Sequence, residues 1–196
     1  MKGAAAARSS YSRTAIALHW LIALLVVGNF AGGLLMGDLL DSADPADRRL
    51  GFAIVQLHKS VGLGILLLSL LRLGVRLTAG APMLPGHMTS TERVLARLTH
   101  WGFYAVMILV PFSGWVMVST SPLGLPTFWF GLFEWPHLPL GMNKAISGAA
   151  SQAHEIMAFI GAGLLVLHVG GALKHHFMDR DDVLARMLPF LRRKSG

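Results

Sequence analysis

Four histidines, His19, His58, His154 and His168, lie in stretches otherwise as apolar as lipid. An ionisable, metal-binding side chain inside a membrane span is costly, so it reads first as functional. His154 and His168 are fourteen residues apart in one apolar segment. Fourteen residues of α-helix make nearly four turns, so both side chains leave almost the same face, about 21 Å apart along the axis. One helix then offers two ligand positions at two membrane depths. Two sites so far apart cannot form a single tetrahedral centre. Each can instead be completed by one of the other two histidines, giving two imidazole pairs that hold metal axially. Haem iron in a flat apolar slot between helices suits that chemistry. The chain has no cysteine and hence no C-x-x-C-H attachment motif, so such a haem is non-covalent and b-type. Iron–sulfur clusters, thiolate zinc and disulfides are excluded for the same reason.

Elements long enough to place these residues follow from hydropathy. Only 14% of the 196 residues are charged and 54% are hydrophobic, well away from the balance of a soluble domain, in which about a quarter are charged. Four apolar stretches can cross about 30 Å of hydrocarbon. They run over residues 14–36, 53–77, 98–119 and 152–173. The expectation is an all-α fold: one integral membrane four-helix bundle over residues 1–196, with two haems b held between helices. The first stretch has a basic flank like a signal peptide, but it exceeds a usual signal core and contains His19.

Charge sets the expected orientation. Lys2, Arg8 and Arg13 precede span one, and Arg72, Arg76, Arg93 and Arg97 surround the second connection. Lys174, Arg180, Arg186, Arg192, Arg193 and Lys194 follow span four. The positive-inside rule puts both termini and the second connection in the cytoplasm. The net charge of +7 is thus a topology signal and not a nucleic-acid face. Depth then fixes the pairs. His19 and His168 are inner, and His58 and His154 are outer. The first connection carries Asp38, Asp41, Asp44 and Asp47 beside Arg48 and Arg49. The third, residues 120–151, is rich in Pro, Gly and aromatics and reads as a short amphipathic or looped segment on the outer surface.

Several neighbours bear on the same sites. Gly161 lies midway between His154 and His168, where a side chain would intrude on a ring; helix packing is the competing reading. Gly33 follows His19 by fourteen residues and reaches the depth of the outer pair, and Gly62 follows His58 by one turn. Arg72 follows His58 by fourteen and reaches the inner site, where guanidinium would pair haem propionates; snorkelling is the alternative. Lys59 stands where it would meet outer propionates or attract an anion; an ordinary interfacial lysine is the competing reading. Lys174, His175 and His176 border the inner edge, where a quinone headgroup could bind or take protons. His100 is a competitor for the inner iron, and His87 and His137 are assigned nothing.

At these residues the sequence resembles the bacterial cytochrome b561 family of four-helix di-haem membrane proteins. The matching pieces are Leu18-His19-Trp20, His58-Lys59-Ser60-Val61-Gly62, His100-Trp101-Gly102, His154-Glu155 and Leu167-His168 through His175-His176-Phe177. It is similar also to the cytochrome subunits of formate dehydrogenases and nickel hydrogenases. The resemblance implies that His19, His58, His154 and His168 are the haem ligands and that Lys174 to His176 border the quinone end. It also implies a bacterial inner-membrane oxidoreductase that passes electrons from superoxide, or another periplasmic one-electron donor, to ubiquinone. The alternative is a cytochrome b anchor that relays electrons between quinone and a separate redox partner. A non-haem metal transporter using the same histidines ranks third, because Glu155 is the only acidic residue within the spans.

Overall fold

In the computed structural model, which describes residues 11–80 and 82–191, four long helices carry most of the chain. Each begins on a side chain that satisfies the free N–H groups of a first turn. Ser12 accepts from the Ala15 N–H and starts α1, Arg13–Asp41. Asp44 caps α2, Pro45–Ala79, with Pro45 in the first turn, where its missing N–H costs nothing. Thr89 and Glu92 form a reciprocal capping box at the head of α3, Ser90–Thr120. Asn143 accepts from the N–H groups of Ala145 and Ile146 and starts α4, Lys144–Lys174.

All four apolar spans are therefore helices, but each helix outruns its hydrophobic core. At 1.5 Å per residue the 35 residues of α2 extend about 52 Å. The first connection shrinks to residues 42–44. Asp38, Asp41, Asp47, Arg48 and Arg49 are helical, because charged residues are tolerated once a helix has left the hydrocarbon. Lys2, Arg8, Arg192, Arg193 and Lys194, which weigh on orientation, lie outside the described residues.

Packing is sequential and antiparallel. The principal seams are α1 along α2 and α3 along α4, joined by a lesser seam between α2 and α3. Among the described residues no comparable seam joins α4 to α1 or α2, and the four histidines face each other across the space between the two helical pairs. The core is thin. Leu18 and Ile22 are buried on α1, Leu63, Ile65 and Leu66 on α2 and Tyr104 on α3, while α4 has no buried residue.

The third connection holds no amphipathic helix. It is looped, with a two-stranded antiparallel hairpin, β1 Phe128–Trp129 and β2 Phe133–Glu134, pairing Phe128 with Glu134 and Trp129 with Phe133. Phe130 and Gly131 at the turn have φ of 49° and 73°, the left-handed pair demanded by a tight hairpin. The hairpin docks on α2. Ser60, almost wholly buried, donates to a carbonyl at Gln56 or Phe128 and accepts from the Phe130 N–H, while the Trp129 indole donates to the Ser60 carbonyl. Beyond α4 the chain makes one π-helical turn, His175–Asp179, and reverses at Arg180. It then returns to α1, where the Trp20 indole donates to the Met187 carbonyl at 2.9 Å.

Candidate electron-transfer site

The structure brings the four histidines together in the two pairs that depth requires. The ring centres of His58 on α2 and His154 on α4 are 6.0 Å apart. Those of His19 on α1 and His168 on α4 are 6.1 Å apart. Two imidazoles that bind one metal from opposite sides through bonds of about 2 Å hold their ring centres roughly 6 Å apart. Both pairs therefore fit a bis-imidazole centre without movement of a helix. Each pair draws one histidine from α4 and one from the α1–α2 unit, across the seam where packing is sparse.

Orientation of the outer rings is fixed by backbone. His58 Nδ1 lies 3.0 Å from the Asn29 carbonyl of α1, and His154 Nδ1 lies 2.8 Å from the Val110 carbonyl of α3. A backbone carbonyl on Nδ1 sets the tautomer and leaves Nε2 as the free ligand atom. Ser113 Oγ is a further 3.2 Å partner of His154 Nδ1. Glycine gives both rings their room. A Cβ at Gly33 would come within 3.1 Å of His58 Cε1, and one at Gly114 within 3.2 Å of His154 Cε1 and Nδ1.

The inner pair has a different setting. Arg72 donates to the Ala15 carbonyl of α1 at 3.3 Å and lies close enough for its charge to act on His19, His168 and His100. That matches its expected depth. His100 stands edge-on to His168 at 5.5 Å, with its Nδ1 turned to the Ala96 carbonyl of its own helix. Phe103 packs on His168 at 5.3 Å.

Other expected contacts are placed differently. Lys59 gives its ammonium to the Pro126 carbonyl at 2.9 Å, tying the third connection to α2. A Cβ at Gly161 would meet Val106 Cγ1 at 2.8 Å, so the clearance it offers is toward α3. Lys174 pairs with Glu92 and with Asp179. His175 is buried, with Nδ1 3.0 Å from Asp179 and 2.8 Å from Asp181, and Asp181 also meets the exposed His87 at 3.0 Å. Burial opposes the charge on Asp181. The Val183 N–H and the His175 imidazole outweigh it and hold the carboxyl below its usual range. Of the expected quinone-edge residues, only His176 is outside this network, stacked edge-on against Phe177.

Comparison with known proteins agrees with this architecture. A family model for prokaryotic cytochrome b561 matches residues 10–190. The chain belongs to the prokaryotic cytochrome b561 family. Among relatives, cytochrome b561 homolog 2 of Escherichia coli is 35% identical, over 91% of this chain and 90% of the relative. Cytochrome b562 of Cereibacter sphaeroides is 30% identical over 91% and 94%, and the probable superoxide oxidase CybB of Yersinia pestis is 28% identical over 91% and 96%. Cytochrome b561 membership makes the chain a multi-pass bacterial membrane oxidoreductase that transfers electrons, and it implies haem b as the cofactor.

Sequence reasoning missed Ser113 and Gly114, and the carbonyls of Asn29 and Val110. A backbone acceptor has no signature in the residue type. Gly114 had a weak signal, a glycine three residues after Pro111 in an apolar span, but nothing that aligned it with His154.

Proposed function

We propose that this cytochrome carries electrons through two haems b, one held by His58 and His154 and one by His19 and His168, from superoxide to ubiquinone. The observation that carries the reading is the pair of imidazole couples, 6.0 and 6.1 Å between ring centres, at opposite ends of the apolar part of α4. Bound there, the haems supply a chain of one-electron carriers across the bilayer. Two superoxide anions each give up one electron and leave as dioxygen. One quinone gains those two electrons and two protons and leaves as quinol.

What the chain itself contributes is position, charge and protons. At the outer end Arg48 and Arg49 hold backbone carbonyls, and among the described residues no carboxylate is paired with them or with Lys59. They offer an anion such as superoxide local points of approach, while Asp38, Asp41, Asp44 and Asp47 around the first connection keep the wider field weak. At the other end a cavity of about 340 Å³ is lined by Tyr11, Arg76, Arg97, His100, Trp101 and Tyr104 among others. Aromatic walls with a few convergent donors suit a quinone headgroup. His100 lines that cavity and stands 5.5 Å from His168, and the His175–Asp181 pair that follows α4 is the carboxylate–imidazole couple through which protons would arrive. With the inner end cytoplasmic, superoxide reacts on the periplasmic side of the inner membrane.

The test is reduction of purified protein by enzymatically generated superoxide, followed in the b-type absorption bands. Reduction that superoxide dismutase suppresses, at close to two haems per chain, with quinol formed on adding ubiquinone, is the expected result. A colourless protein defeats the haem assignment, and reduction no faster than by a chemical reductant defeats the donor assignment. One feature favours the relay alternative, in which a redox partner docks at the outer face. Leu132 at the hairpin turn is 75% exposed, beside exposed Phe130 and Phe133. Co-purification of a second redox protein would support it.

A further inference from the structure

The two outer histidines share a local device that appears on two different helices. The carbonyl that meets His58 Nδ1 belongs to Asn29, and the glycine beneath the same ring is Gly33, four residues later on α1. The carbonyl that meets His154 Nδ1 belongs to Val110, and the glycine beneath that ring is Gly114, four residues later on α3. In an α-helix the side chain of residue i+4 lies over the carbonyl of residue i. A glycine at i+4 uncovers that carbonyl, and an imidazole from a neighbouring helix can then reach it. A Cβ at Gly33 or Gly114 would stand 3.1–3.2 Å from ring atoms, so the ring would have to give by a few tenths of an ångström, which loosens its bond to the carbonyl.

The inner pair is built otherwise. Among the described residues neither His19 nor His168 has a carbonyl or carboxylate on its ring nitrogens. The charged group near them is Arg72, with Arg76 acting on the adjoining His100. These differences act on a bound iron in opposite directions. A carbonyl that accepts from Nδ1–H raises the basicity of Nε2, so the ligand donates more strongly and the oxidised iron is favoured. A fixed guanidinium favours the reduced iron, which carries one positive charge less.

We infer that Gly33 and Gly114 are positioning residues that make the His58/His154 centre the lower-potential haem, so that electrons run downhill from the outer pair to the His19/His168 pair. This rests on the two-haem reading above. It adds a direction to the wire: transfer away from the donor end is favoured and return is opposed by the same backbone carbonyls.

The experiment is a spectroelectrochemical titration of the detergent-purified protein, of His168→Ala, which retains the outer centre, and of His58→Ala, which retains the inner one. The outer-only variant should titrate at lower potential than the inner-only variant, and the two values should bracket the wild-type curve. Gly114→Ala in the full chain should move the lower-potential component upward and leave the higher one in place. Arg72→Gln should move the higher one downward. Equal potentials, or an outer centre above the inner one, overturn the inference while leaving two haems and the proposed function intact. A chain that binds fewer than two haems before any substitution instead removes the reading beneath it. If Gly114→Ala loses its outer haem, Gly33→Ala is read in its place. If both lose it, the ordering of the two single-haem variants alone decides.

Discussion

At the residue scale His58 and His154 are each specified twice, once by their own helix and once by the carbonyl that a glycine on the neighbouring helix leaves open. The fourteen-residue step from His154 to His168 was legible because helical periodicity converts spacing directly into direction and depth. Their partners were legible because the spans alternate in direction. The acceptors on Nδ1 were not, since a carbonyl of Asn29 or Val110 looks like any other in a sequence. His168→Ala should reduce haem content from two per chain to one and leave the outer spectrum in place; retention of two haems would overturn the pairing. Gly114→Leu should have the complementary effect. A leucine there overpacks the His154 ring, a change that costs about 1–3 kcal/mol in a close-packed core, so the outer haem should be lost while the inner one survives. Haem quantified per chain and the α-band of the remaining species distinguish the two outcomes.

At the element scale the helices are positioned by their ends as much as by their apolar faces. Asp44, Thr89 and Asn143 start α2, α3 and α4 beyond the hydrocarbon, which is why hydropathy windows read each span too short. The third connection was legible only as an aromatic surface segment. Its β1–β2 hairpin depends on Ser60, a residue that reads in sequence as a small polar interruption of α2. Ser60→Ala would leave the Phe130 N–H without its acceptor while the Trp129 bond to the residue 60 carbonyl remained. A buried group left unpaired costs about 1–3 kcal/mol. Residues 121–143 should then exchange amide hydrogens faster, at unchanged haem content. Exchange rates equal to the wild type would show that the hairpin is held by its aromatic packing alone.

At the scale of the whole molecule, two closely packed helical pairs with a sparser seam between them explain where the site that α4 serves can form. The His-bearing face of α4, with His154, Met157, Gly161 and His168 half-buried, meets the opposite histidines across the slot between the helical pairs, while Ile156, Ile160 and Val166 elsewhere on the helix are exposed. A rigid apolar ring held by each pair of histidines would bridge α4 to the α1–α2 unit, and binding to the folded chain stabilises it by mass action. The prediction is that stability and cofactor content are linked. Protein made under haem limitation should melt at lower temperature than the loaded form, and added haem should restore the difference only when both pairs are intact. His58→Ala and His168→Ala should each recover part of the shift, because each keeps one centre bridging α4 to the α1–α2 unit. The double variant keeps neither bridge and should recover none. A double variant stabilised by haem as much as the wild type would place the cofactor outside the slot, and the four histidines would then owe their pairing to helix packing rather than to iron.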